Sequence, residues 1–236
     1  MQEIGPNSSR NADALNAVRR EFFAQLVATP EGRQHMLSFS VDAEEGDEGA
    51  IFDQLAGVVD DPRLRRIVER HRDDEIRHGT LFRACLARLG LEKVEVPDEI
   101  RIIRQIASST GGAERAVRTA EDIVATYAML FVIEQRGVEQ FPFLSEAFRA
   151  IDPETADTYD RVARDERGHV HYCETIGRHY SADDAAWQSA VARARSIEES
   201  AFQAVGMANL TYCAERGWVR MDAVLGAIPV RTFSKP

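Results

Sequence analysis

Apolar residues in this chain return every third or fourth position along several long stretches, and strand-like alternation is absent. That period predicts an all-α protein built from amphipathic helices. Capping and breaking residues divide the pattern. Residues 11–28 read as a short N-terminal helix. Thr29-Pro30-Glu31 supplies a cap followed by proline at the first helical position, and opens a helix expected over Pro30–Val59. Asp60-Asp61-Pro62 ends it and starts a second, running to about Leu89 and stopping at Gly90. Leu91–Pro97 is a connector, and a short helix over 98–108 is broken by Ser109-Thr110-Gly111-Gly112. A third long helix is expected over 113–150, bent near Pro142. Asp152-Pro153 starts the fourth, ending near Gly177. Ser181, with Asp183 and Asp184 in the first turn, caps a fifth. Residues 1–10 read as a disordered leader, 11–221 as one helical domain, and 222–236 as a tail whose small and proline residues predict no element.

Two of the inward stripes carry polar residues at their centres. In the second long helix the stripe is Leu64, Ile67, His71, Glu75, His78, Phe82, Cys85, Leu89. In the fourth it is Tyr159, Val162, Glu166, His169, Cys173, Ile176. A buried charge costs several kcal/mol unless it is paired or bound to metal. Both stripes centre on one motif, Asp-Glu-x-x-His: Asp74-Glu75-Ile76-Arg77-His78 and Asp165-Glu166-Arg167-Gly168-His169, 91 residues apart. Each follows an Asp-Pro helix start, so the chain holds two copies of a helical hairpin. Positions i and i+3 share a helix face, and each motif therefore aims a carboxylate and an imidazole at one point. Two such helices and two further carboxylates make a dimetal site between four helices.

Each hairpin partner should bring a carboxylate to the same height. In the second hairpin that residue is Glu134, 32 residues before Glu166 and at the end of the apolar run Ala128–Ile133. In the first, Glu44, Glu45 and Glu48 are in range. Glu44 continues the stripe of Leu37, Val41, Ile51 and Leu55. Glu45 lies 30 residues before Glu75 and has Phe52 seven residues on, as Glu134 has Phe141. The spacing favours Glu45. The expected metal set is Glu45, Glu75, His78, Glu134, Glu166 and His169. Asp74 and Asp165 are placed to accept the free ring N–H of a ligand histidine. His71, one turn before Glu75, is the candidate catalytic group, as an extra ligand or a proton donor. Carboxylates with imidazole suit iron or manganese, and four carboxylates balance two divalent cations.

Composition narrows the partners. A net charge of −10 argues against nucleic acid, which needs a basic face. No run of 18 apolar residues suggests a membrane span. Three scattered cysteines, Cys85, Cys173 and Cys213, fit a reducing cytoplasm, and no signal-peptide core occupies the first ten residues.

The pattern Glu…Asp-Glu-x-x-His…Glu…Asp-Glu-x-x-His resembles the ferritin-like superfamily of diiron carboxylate proteins over about 37–177. The aspartate before each Glu-x-x-His resembles the bacterial multicomponent monooxygenases. The chain's size and fifth helix are more similar to rubrerythrin-related oxidases and small N-oxygenases. The resemblance implies a ferritin-like four-helix bundle with extra N- and C-terminal helices. It implies two iron ions, with a manganese–iron pair as the alternative, and an oxidoreductase that activates O2 to oxidise a small organic substrate. An external electron donor would be required, and a homodimer is an allowed assembly. The inner stripes supply pocket walls: Val41, Phe52, Phe82, Tyr127, Phe131, Val138 and Val162. A bacterioferritin- or rubrerythrin-like iron-oxidising or iron-binding protein is the second reading.

Overall fold

The computed structural model describes residues 6–45, 48–109 and 116–227. Among these the chain is all helical: α1 Pro6–Ala28, α2 Pro30–Glu45, α3 Glu48–Val58, α4 Pro62–Arg88, a 3-10 turn at Asp98–Ile100, α5 Ile102–Ser109, α6 Ala120–Phe148, α7 Pro153–Tyr180, α8 Asp184–Glu215 and α9 Met221–Gly226. No helix among the described residues is long and apolar enough to cross a membrane.

Several boundaries differ from the periodic reading. The first helix includes residues 6–10 of the expected leader, and residues 1–5 lie outside the described ones. The expected Pro30–Val59 helix is helical over Pro30–Glu45 and Glu48–Val58, with residues 46 and 47 outside the described ones. The third long helix starts at Ala120, not residue 113, because Thr119 and Asp122 form a reciprocal capping box. The fourth runs on to Tyr180. Gly177 does not stop it; a Cβ there would lie 2.1 Å from Trp187 Cζ3, so the glycine lets α8 approach α7. Asp183 rather than Ser181 caps α8, accepting from the Ala186 N–H at 2.8 Å. Ser181 instead donates to the Gly177 carbonyl at the end of α7 (2.7 Å). The expected tail contains α9, and residues 228–236 lie outside the described ones.

Four helices fix the centre of the molecule. The α6–α7 hairpin is held at its turn by Arg149, which donates to Asp160 (2.6 Å) and Ser145 (3.0 Å). The α4–α7 pair is antiparallel in constant register. His169 meets Asp74, Asp165 meets His78, Thr158 meets Cys85, and Thr155 meets Arg88, so each step forward in α4 is a step back in α7. On its other side α4 packs on α2, where Gly79 lies under the Glu45 side chain.

These helices share two apolar cores. One gathers Leu37 and Val41 of α2, Phe82 and Leu86 of α4, Leu144 and Phe148 of α6, and Tyr159 and Val162 of α7. The other gathers Phe52 and Leu55 of α3, Leu64 and Val68 of α4, Tyr127 and Leu130 of α6, and Cys173 and Ile176 of α7. Along α4, α6 and α7 the residues between the two cores are polar and buried: His71, Glu75 and His78, then Glu134, then Glu166 and His169. The chain thus places a charged layer where packing alone would put more leucine.

Candidate metal centre

The polar layer resolves into two groups of four. His71, Glu75, Glu134 and His169 form one; Glu44, Glu75, His78 and Glu166 form the other. Within each group the donor atoms lie within 4.8 Å of one another, and every member is buried. Glu75 belongs to both, so it occupies the midline.

Each of the expected residues can be placed. Glu75, His78, Glu134, Glu166 and His169 meet in the layer, and His71 joins them one helical turn before Glu75. Glu45 does not. It faces outward beside Arg83, whose Nε donates to its Oε1 at 2.6 Å. Glu44, one residue earlier, is 6% exposed and sits 3.1 Å from His78 Nδ1. One residue is a 100° rotation on a helix, which separates the inner face from the outer. The Glu48 side chain lies outside the described residues. Of the expected pocket walls, Val41, Phe52, Phe82, Tyr127 and Val162 are fully buried, and Phe131 and Val138 are half-buried.

The imidazoles are oriented alike. His78 turns Nδ1 inward, 3.1 Å from Glu44 and 3.4 Å from both Glu75 and Glu166. Its Nε2 faces Asp165 at 3.3 Å. His169 turns Nδ1 toward Glu75 (2.9 Å) and Glu166 (3.0 Å), and its Nε2 toward Asp74 at 3.5 Å. A carboxylate behind each ring holds the Nε2–H and leaves Nδ1 for the interior. The wiring is crossed: each aspartate serves the histidine of the opposite helix. His71 presents Nε2, 3.0 Å from Glu134 Oε1 and 3.1 Å from Glu75 Oε1, and its ring packs on Phe52 at 4.5 Å between centroids.

Without a cation, protons must balance this layer. Burial pushes the carboxyls of Glu44 and Glu166 well above the usual range, and neighbouring carboxylates add to it: Glu75 for Glu44, Glu134 and Glu75 for Glu166. Burial works the same way on Glu75, but the imidazoles of His169, His71 and His78 outweigh it and hold that carboxyl well below the usual range. Against the same burial, Glu134 is held at about 2 by Glu166, His169 and His71. The imidazoles respond in kind. Burial alone would lower His78, yet Glu44 and Glu75 push it up to about 9, and His71 and His169 are raised by their carboxylates. Within one layer two carboxyls are pushed up, two are pulled down and the imidazoles are raised, the pattern of donors that would release protons on binding a metal.

One buried atom of the layer fits a metal better than it fits the protein: Glu75 Oε1 has no hydrogen-bond partner. The ring nitrogens 2.9 and 3.1 Å from Glu75 Oε1 lie off its hydrogen-bond directions, so the contacts there are electrostatic only. Buried polar atoms are rarely left in this state.

No family model, curated protein or solved structure matches the chain. Among the described residues the chain is all helical and holds two buried His/Glu groups able to hold metal ions.

Proposed function

We propose that this chain is a non-haem diiron oxidoreductase, an O2-dependent oxygenase or oxidase acting on a small organic substrate. In this reading α2, α4, α6 and α7 form a ferritin-like four-helix bundle, with α1 and α8 added. The observation that carries it is the shared Glu75: two four-donor groups meet at one carboxylate, as expected for a pair of metal ions a few ångströms apart. Glu44, Glu75, Glu134 and Glu166 would balance two divalent cations. His78 and His169 would ligate through Nδ1, and His71 adds a third imidazole through Nε2. Oxygen and imidazole donors without thiolate favour iron, with manganese–iron as the alternative, over zinc or calcium. Held by these residues in the ferrous state, such a pair would supply the reducing power that O2 activation needs.

The residues of this chain do the remaining work. Asp165 and Asp74 fix the Nε2–H of the two histidines, which sets ring orientation and makes each Nδ1 a better donor. The two apolar cores exclude water from the layer, and Phe52 against His71 closes one side. An external electron donor is part of the proposal.

The test is single turnover. Apo protein loaded anaerobically with Fe(II) should take two ions per chain and then consume O2 with oxidation of a small substrate. Fewer than one transition metal per chain would sink the reading. A growing ferric core without substrate oxidation would favour an iron-oxidising protein instead.

A further inference from the structure

Behind the two histidines, one guanidinium touches both supporting aspartates. Arg77 Nη2 donates to Asp74 Oδ1 at 2.6 Å on its own helix and to Asp165 Oδ2 at 3.0 Å on α7. Asp74 faces His169 and Asp165 faces His78, and these histidines belong to different four-donor groups. The geometry points to Arg77 as a single positioning residue that aims the imidazoles of both metal positions at once. This rests on the dimetal reading above.

The sequence makes the assignment asymmetric. The first motif reads Asp-Glu-Ile-Arg-His and the second Asp-Glu-Arg-Gly-His, so α7 has Gly168 where α4 has Arg77. Arg167 does not compensate, because it is exposed. A duplicated hairpin with one arginine can support both halves only if that arginine lies on the seam, and the antiparallel register of α4 and α7 puts it there. Two distances from one nitrogen, 2.6 and 3.0 Å, also bring the two aspartates close together. Without the cation they would repel. Both are part-exposed, 23% for Asp74 and 32% for Asp165, so each has water to turn toward. Turning would release the Nε2–H of both rings and let each Nδ1 drift off its target. Losing such a supporting contact typically weakens metal binding by about 10–100-fold.

Titrating Co2+ into metal-free protein, followed by its visible absorption, tests this without turnover. Wild type should take two ions. Arg77→Leu keeps part of the aliphatic stem but no donor, and should weaken both binding steps by about tenfold or more. Arg77→Lys, with a charged donor on a shorter side chain, should restore part of the loss. Asp165→Asn should weaken one step only, the one involving His78. Wild-type affinity at both steps in Arg77→Leu would overturn the inference, and so would a fall in metal-free Tm with affinity unchanged, the signature of a merely structural residue. A wild type that binds no Co2+ would overturn the dimetal reading and this inference with it. Should Arg77→Leu fail to fold, unchanged affinity in Arg77→Lys together with losses at both steps in Asp165→Asn would still refute the shared role.

Discussion

Glu44 and Glu45 are neighbours in sequence with opposite surroundings, and substituting each separates the inner face of α2 from the outer. Glu45 pairs with Arg83 at side-chain exposures of 29% and 50%. A pair that open is worth about 0.2–1 kcal/mol. Glu45→Ala should therefore shift the denaturation midpoint slightly and leave metal binding alone. Glu44 is buried against His78, and burial pushes its carboxyl well above the usual range. Glu44→Gln keeps the volume and adds no charge, so metal-free stability should change by less than about 1 kcal/mol. Metal binding should respond strongly. The substitution deletes one of the four donors of the Glu44–Glu75–His78–Glu166 group and an anion that balances the ion there. A loss of about 100-fold at that position corresponds to about 2.8 kcal/mol. Elemental analysis after dialysis at micromolar free metal should fall from two ions per chain to one. Two ions retained by Glu44→Gln, or lost by Glu45→Ala, would refute the placement of these side chains.

Three further outcomes are expected. Glu134→Ala should empty the His71–Glu75–Glu134–His169 position and abolish substrate oxidation with helical circular dichroism intact; wild-type turnover at full iron loading would contradict it. Gly177→Ala drives a methyl into Trp187, 2.1 Å from Cζ3, and should cost about 1–3 kcal/mol, read as a lower Tm at unchanged metal content. The Asp152 carboxyl is held below the usual range by Arg88, with the Thr155 contacts adding to it. A depressed carboxyl contributes stability above its unfolded value of about 4 and loses it as pH falls through the lower folded value. Asp152→Asn, which still caps α7, should therefore destabilise by about 1 kcal/mol at pH 7. In urea melts the gap to wild type should close as the pH falls below about 4, and a gap independent of pH would argue against the ion pair.

What the sequence disclosed follows the range of the interactions. The Asp-Glu-x-x-His motifs and Glu134 are legible because helix periodicity is local and the surrounding residues are apolar. Glu44 was not separable from Glu45, because counting back from the Asp60–Pro62 turn fixes a height along the helix, and neighbouring residues differ there by only about 1.5 Å while facing about 100° apart. The stripe of Leu37 and Val41, counted forward within α2, points to Glu44 and was the better guide. The start of α6 was missed because the Thr119–Asp122 box is a short polar signal inside a region of weak periodicity. Arg77 carried no sequence signal, since its partner Asp165 is 88 residues away and the register of α4 against α7 is a tertiary fact.

The layer between the cores could hold metal ions. Replacing buried ion networks by apolar residues of similar volume is often neutral or stabilising, so a helical protein under no other demand would close the gap between its two cores with leucine and valine. Here the gap holds four carboxyl groups and three imidazoles, and they are not mutually satisfied: Glu75 Oε1 lacks a partner, and the Glu75 and Glu134 carboxyls lie below the usual range only because neighbouring side chains outweigh their burial. Protons can balance the charge but cannot use every lone pair, because a proton binds one or two donors in line, whereas a divalent ion accepts four to six around a point. The donors are already gathered around two such points that share Glu75. A pair of cations would satisfy all of them at once and release the protons, which couples metal affinity to pH as deprotonation of the ligands requires.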